Sequence, residues 1–369
     1  MRSWTTSLTL LLVSIAIGLL CLEAAARVIG GEPLLSTDNF VARDLNFLTV
    51  NSAAVYDPQV GWVQTANLKT ADPGGSFTTG AYGVRMPTPE IRPLTQHAVL
   101  AIGDSFTAGS EVGDDGSWPA QLQGMLGRDV INAGVGGYGV DQMVLRAETL
   151  VPLLQPEVLI IGILAQDSLR NPMSVYGGAP KPYFTIEHDG LALHNDPVPR
   201  MPSTPHDIGW LRATLGYSYL ARFAATRLGR INLWLGGHDY KYEYSNEDGV
   251  RVSCLLMPRL AALRDRFHLR IGVVMSYGGG ETSDATPPWY GPPVNACAAG
   301  QGFPVVDTFP PLHAVFERDG LEAFRRLWVM HDDNRVFGHM SAAGNRLVAS
   351  LIVKDLFDKD AAPENGQPR

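Results

Sequence analysis

Cysteine is scarce in this chain, with three among 369 residues. None stands in a Cys/His spacing that would make a zinc site, so no structural metal is expected. Charge of one sign is not clustered either. The 29 basic and 37 acidic residues leave a net charge of −8 without a block of like charges, which argues against a nucleic-acid groove or an anionic-membrane surface. Internal repeats and low-complexity tracts are absent. The glycines of "AGVGGYG", Ala133 to Gly139, follow an apolar run but do not fit the dinucleotide-binding fingerprint, so no phosphate-cradling loop is present. At 45% hydrophobic and 18% charged, the chain is globular, with room for one large domain or two small ones.

The first thirty residues differ from the rest. Arg2 and the amino terminus precede an uncharged stretch from Ser3 to Leu22. Its strongly apolar part, Leu8 to Leu22, is short for a full span but is extended by Trp4 and by Ala24 to Ala26. A cleaved signal peptide fits the same residues, with Ala24-Ala25-Ala26 as a small-residue cleavage site. Glu23 just before that site disfavours clean cleavage, and Cys21 follows Leu20 rather than the small residue that lipid attachment requires. Residues 1–30 are therefore expected to be a transmembrane anchor, with secretion after signal cleavage as the alternative. Both put the body outside the cytoplasm, where Cys254 and Cys297 either pair or stay as two buried thiols.

Residues 31–96 form a Pro- and Gly-punctuated lead-in. From His97 short charge-free runs alternate with helical patterns. The runs are Ala98–Ile102, Val130–Val135, Val158–Leu164, Ile271–Met275 and Phe303–Val306; the helical patterns include Trp118–Leu126, Asp141–Leu154, Val252–Phe267 and Ser341–Phe357. Short β-branched runs alternating with helices predict an α/β fold, a flavodoxin-like three-layer doubly wound parallel sheet over residues 97–360. Ligands in such sheets bind at the carboxyl ends of the strands. A long segment, about 171–248, interrupts the alternation. It opens with a hairpin turning at Asp189-Gly190 and continues with "WLRATLGYSYLARFAATRLGRINLWL", helical in periodicity with regularly spaced Arg. It is either a substrate-flanking insertion or a solvated accessory subdomain.

Ser105 follows the first strand of the alternating region, where the N–H groups of a following helix can stabilise an oxyanion. Serine is equally a common helix N-cap, and a nucleophile needs a base. His339, directly before the last helix, is the candidate. Four blocks, "GDSFTAG", "NAGVGGYG", "GILAQDS" and "HDDNRVFGHMSAAGN", resemble the successive blocks of the SGNH, or GDSL, hydrolases over about His97 to Phe357. The stretch "YDPQVGW" resembles membrane-anchored bacterial members. The chain lacks the Gly-x-Ser-x-Gly elbow of the α/β-hydrolase fold.

The resemblance implies an esterase with Ser105 as nucleophile and His339 as general base. The N–H groups of Ser105 and Gly137 would form an oxyanion hole, with no metal or organic cofactor. Two positions depart from the pattern. Gln166, followed by Asp167, stands where the family has Asn, so it is either a longer amide donor or a side chain that hydrogen-bonds its own loop. The acid usually three residues before the histidine is replaced by Val336. A bulge returning Asp333, or failing that Asp332, would supply the carboxylate, with a Ser-His dyad as the fallback. Asp104 is expected to tie down the turn, and His331 with its two Asp neighbours does not make a metal site. Trp289 and Tyr290 line a sugar or acyl pocket or simply pack. The expected substrate is an acyl ester or an acetylated glycan. Transfer to or from an envelope polysaccharide, within its assembly machinery, and a non-catalytic glycan-binding relative are the alternatives.

Overall fold

The computed structural model describes residues 4–35, 39–41, 53–72, 74–176, 179–188, 190–200, 209–234, 246–332 and 335–358. Its chain falls into two units: residues 1–52, 175–180 and 200–242 in the first, and 53–174, 181–199 and 243–369 in the second. The lead-in is thus divided between them at residue 52.

The first unit contains α1 (Trp4–Gly30) and, later in the chain, three short helices over Trp210–Leu215, Tyr219–Arg227 and Ile231–Trp234. From Thr6 to Gly30, α1 is long and apolar enough to cross a membrane. The Arg-punctuated segment is therefore not one helix. It breaks after Leu215 and again after Arg227, where Gly216 and Gly229 terminate the hydrogen-bonding runs.

The second unit is built on a five-stranded parallel sheet. In chain order its elements are β1 (Val99–Gly103), α2 (Ser105–Ala108), α3 (Trp118–Leu126), β2 (Val130–Asn132), α4 (Val140–Leu154) and β3 (Val158–Leu164). After the interruption, in which the three first-unit helices count as α5 to α7, come α8 (Asn246–Phe267), β4 (Arg270–Ser276), α9 (Gly279–Ser283), α10 (Gly291–Gly300) and β5 (Val305–Asp307). The chain then runs through α11 (Phe309–Arg325), an antiparallel hairpin of β6 (Trp328–His331) and β7 (Val336–Met340), and α12 (Ala342–Ile352). The strand order is β5-β4-β3-β1-β2, a doubly wound α/β sheet. β1 and β3 are apolar and buried at every position, which is what a strand covered by helices on both faces requires. The order reverses between β1 and β3, so the crevice beyond their carboxyl ends lies at the switch point. Ser105 and Gln166 follow those two ends.

Close approach at this crevice depends on glycine. A Cβ on Gly103 would lie 2.1 Å from Thr107 Oγ1 and 2.4 Å from the Gly162 carbonyl oxygen. Any side chain there would push α2, and Ser105 with it, off the sheet. Ser341 caps α12, accepting from the Gly344 N–H at 3.3 Å, and Asn345 on that helix accepts the Trp118 N–H at 2.9 Å. The helix that follows His339 is thereby tied to the helix that follows the Ser105 segment. The second-unit lead-in braces two more loops. Trp62 Nε1 donates to the Gly136 carbonyl at 2.9 Å, and Tyr138 donates its hydroxyl to the Trp62 carbonyl at 2.6 Å. The expected hairpin forms as Tyr183–Glu187 paired with Gly190–His194, and Cys254 on α8 is bonded to Cys297 on α10.

Arg85 does the most for the site. It is buried and donates to the carbonyls of Ala108 (2.7 Å), Gly109, Val112 (2.6 Å) and Ser76 (3.2 Å), with Asp114 at 3.4 Å. The loop from residue 108 to 112 therefore wraps one guanidinium, a planar fork that no other side chain reproduces. Replacing Arg85 with Met would leave these carbonyls and the Asp114 carboxylate buried without it. The variant should lose about 3–5 kcal/mol of stability, read as a lower urea midpoint, and should lose activity before it unfolds.

Candidate active site

Asp104 N-caps the four-residue α2, its carboxylate accepting the Phe106 N–H at 2.9 Å. Ser105 therefore sits at the first helical position, half-buried at the strand end. Its Oγ is 3.0 Å from His339 Nε2 and 3.3 Å from Asp104 Oδ2. His339 reaches it from β7, 234 residues away in sequence.

The other side of the imidazole faces a carboxylate that the sequence reading did not name. His339 Nδ1 lies 2.8 Å from Glu111 Oε2, and the same oxygen accepts the His339 backbone N–H at 2.7 Å. The second carboxylate oxygen, Oε1, is 2.7 Å from His331 Nε2. A carboxylate only accepts, so Nδ1 carries its proton toward Glu111 and Nε2 presents its lone pair to the serine. Asp332 is exposed at the turn of the β6–β7 hairpin with its own backbone at φ +48°, and Asp333 lies outside the described residues. Val336 opens β7 and is exposed, opposite His331 across the hairpin.

Glu111 was missed because it comes from the other end of the domain. The usable signal was an acid six residues after Ser105, in a Gly- and Asp-rich turn that Gly109 opens in the left-handed conformation. Glu111 itself has φ +67°, a conformation that a residue with a Cβ rarely adopts, and one that persists only where surrounding contacts impose it. Arg85 and the two histidines supply those contacts. Gly338 makes room for them. A Cβ there would lie 2.5 Å from His331 Nε2 and 2.6 Å from Glu111 Oε2.

Burial pushes the Glu111 carboxyl up, but the N–H and imidazole of His339, with the charge of His331, outweigh it and hold the group below its ordinary range. Two further carboxyls lie deeper. Burial pushes Asp104 up, with Arg170 opposing. Asp167 is driven well up by burial and by the Asp104 charge, although Arg170 Nη1 is 2.5 Å from its Oδ1. Asp167 also accepts the Leu164 N–H at 2.8 Å, which folds the turn after β3.

That turn leaves Gln166 as its one half-exposed residue. Its Nε2 donates to Glu281 Oε1 at 3.0 Å, and Glu281 also accepts the Tyr290 hydroxyl and, at 2.8 Å, the Gly278 N–H. An amide nitrogen has two hydrogens, so one remains. Gly137 takes φ +81°, and a Cβ on its neighbour Gly136 would lie 3.9 Å from Ser105 Cβ. Beside the serine and histidine opens a cavity of about 360 Å³, lined by Phe106, Leu164, Gln166, Glu281, Phe337 and His339, with Gly278 to Gly280 along one wall. Trp289 stands half-exposed beside Tyr290, ring centroids 5.5 Å apart, and neither lines that cavity.

Residues 101–178 match the model of the GDSL-like lipase/acylhydrolase family. This stretch is similar to the GDSL-like lipase/acylhydrolases, a family of ester-hydrolysing enzymes. The match takes in Ser105, Gly137 and Gln166 but ends before His339. No curated protein matches the chain. Among solved structures it is similar to a catalytic mutant of an acetylxylan esterase from Geobacillus stearothermophilus, at 16% identity and TM-score 0.39 over 72% of this chain and 97% of that one. It is similar also to an α/β hydrolase enzyme from the metagenome of Lake Arreo, Spain, at 14% identity and TM-score 0.39 over 71% and 96%.

Glu111→Gln should lower kcat by about 10³-fold or more, because the amide presents a donor to Nδ1–H and favours the wrong tautomer. Asp332→Asn should leave the rate within about twofold, as expected of an exposed substitution. A carboxyl held below its ordinary value contributes stability that is complete above that value and lost as pH falls through the lower folded one. The stability gap between the wild type and Glu111→Gln, open at pH 7, should therefore close below about pH 4 in urea titrations.

Proposed function

We propose that this protein is a membrane-anchored serine esterase that acts outside the cytoplasm on a short-chain acyl ester. The observation that carries the chemistry is the unbroken hydrogen-bond path from Ser105 Oγ through both nitrogens of His339 to Glu111, opening onto a cavity.

His339 Nε2 removes the hydroxyl proton as Ser105 Oγ attacks the ester carbonyl. Glu111 stays ionised, holds the tautomer and stabilises the imidazolium that forms. The oxyanion accepts from the N–H groups of Ser105 and Gly137 and from the remaining Gln166 N–H, which Glu281 orients. The imidazolium then protonates the leaving alkoxide. Water enters, His339 takes its proton, and the acyl group leaves as a carboxylic acid. His331 is a positioning residue that fixes the far oxygen of Glu111 without touching substrate. The cavity lies at the small end of ligand pockets, which favours an acetyl or other short acyl group.

Two observations support the location. The Cys254–Cys297 bond belongs in an oxidising compartment, and α1 is long and apolar enough to span a bilayer.

Purified full-length protein in detergent should release p-nitrophenol from the acetate faster than from long-chain esters. Ser105→Ala and His339→Ala should each lose about 10⁴-fold in kcat. Gln166→Ala should lose about 10²-fold in kcat at little change in KM, the signature of a donor used only in the transition state. Equal background turnover in the wild type and both alanine variants would sink the esterase assignment and leave glycan binding as the role to assay.

A further inference from the structure

The first unit carries a surface that the esterase chemistry does not use. In the second unit, no large apolar side chain among the described residues is more than 52% exposed. Along residues 209–234, Trp210 is 80%, Leu228 73% and Leu233 71% exposed, joined by Leu211, Leu215 and Tyr217. Residues 209–234 contain Arg212, Arg222, Arg227 and Arg230 and no Asp or Glu. The whole-chain charge of −8 hides this local cationic segment.

Its position is set by α1. Residues 4–22 carry no charge and, as helix, rise about 28 Å, close to the ~30 Å hydrocarbon thickness of a bilayer. Glu23 ends that stretch and is held by the first unit. Its carboxylate accepts from Ser218 Oγ (2.8 Å) and from the N–H groups of Tyr219 (2.8 Å) and Leu220 (2.9 Å), capping α6. Arg27 bonds Glu23 at 2.6 Å and donates to the carbonyls of Pro33 and Tyr217, each at 2.9 Å. Ala26, Phe40, Val41, Val175, Tyr219 and Trp234 form the small core around them. Cleavage at Ala24 to Ala26 would remove the cap of α6 and part of that core.

We infer that α1 is retained and that α5 to α7 rest on the anionic lipid surface of the bilayer α1 crosses. Apolar side chains with interspersed arginines and no acids suit a headgroup layer, where each cation adds about 1 kcal/mol near an anionic leaflet. The distance decides the matter: the uncharged helix runs out where the α6 cap begins, so the cap and the helices it holds stand at the headgroups. This rests on the anchor assignment made under the proposed function.

The test uses the full-length Cys21→Ser protein in nanodiscs of phosphatidylcholine and phosphatidylglycerol. An environment-sensitive dye is attached at Leu228→Cys or Leu233→Cys, with Met125→Cys and Leu321→Cys as second-unit controls. Nitroxide-labelled lipid should quench the first pair about twofold or more beyond the controls, and Arg227→Gln with Arg230→Gln should reduce that excess. Quenching equal to the controls, with Met1 still present by intact mass, overturns the lipid contact and leaves the anchor standing. A dye shielded from water yet unquenched by the nitroxide lipid assigns the patch to protein and also overturns it. Loss of α1 from the mature protein removes the anchor assignment itself.

Discussion

One carboxylate organises the active end of this molecule. Glu111 accepts three hydrogen bonds, from the His339 N–H, the His339 ring and the His331 ring. Everything nearby serves to bring it there. Arg85 gathers the carbonyls of the loop on which it rides, its own backbone takes a left-handed conformation, and Gly338 leaves out a side chain that would occupy the same space. A carboxylate so placed is worth more than its pairwise bonds, since it fixes which imidazole nitrogen faces the serine. Strain at Glu111 is tolerable because the surrounding contacts over-determine the loop.

Beneath the site lies a second polar layer, buried and highly charged. Asp104, Asp167 and Arg170 share one region, and Lys181, also fully buried, donates to Asp141 and to the carbonyls of Arg170 (3.2 Å) and Pro182 (2.8 Å). Burial works against both members of the last pair, pushing Asp141 up and Lys181 down. Such layers add little net stability compared with apolar packing, yet breaking one partner is costly. Here they fix the turn after β3, whose single outward residue is Gln166. The geometry of the proposed oxyanion donor thus depends on groups that line no part of the cavity.

The two units divide the labour. The second holds the sheet, the cavity and the hydrogen-bonded path. The first holds an apolar helix whose last two turns are clasped by short arginine-bearing helices. Glu23, which in the sequence disfavours signal cleavage, has a structural use as the cap of α6. The same residue therefore argues for retention from both directions.

The alternating sheet was legible in the sequence because strands buried on both faces must be short, apolar and β-branched, and β1 and β3 are. Ser105 and His339 were legible as residues because each stands beside an element boundary that local signals mark, a strand end and a helix cap. Glu111 was not. Its sequence neighbourhood is an ordinary polar turn, and the vacancy at Val336 says only that an acid is missing, not where another comes from. Nor does the sequence decide what Gln166 bonds, whether Cys254 meets Cys297, or that the regularly spaced arginines lie on three short helices instead of one. Local sequence determines which segments are helix and strand, because propensity, capping and burial pattern act over a few residues. The partner of a side chain 228 residues away is set by which loops the sheet's winding brings together, and only the folded chain decides that.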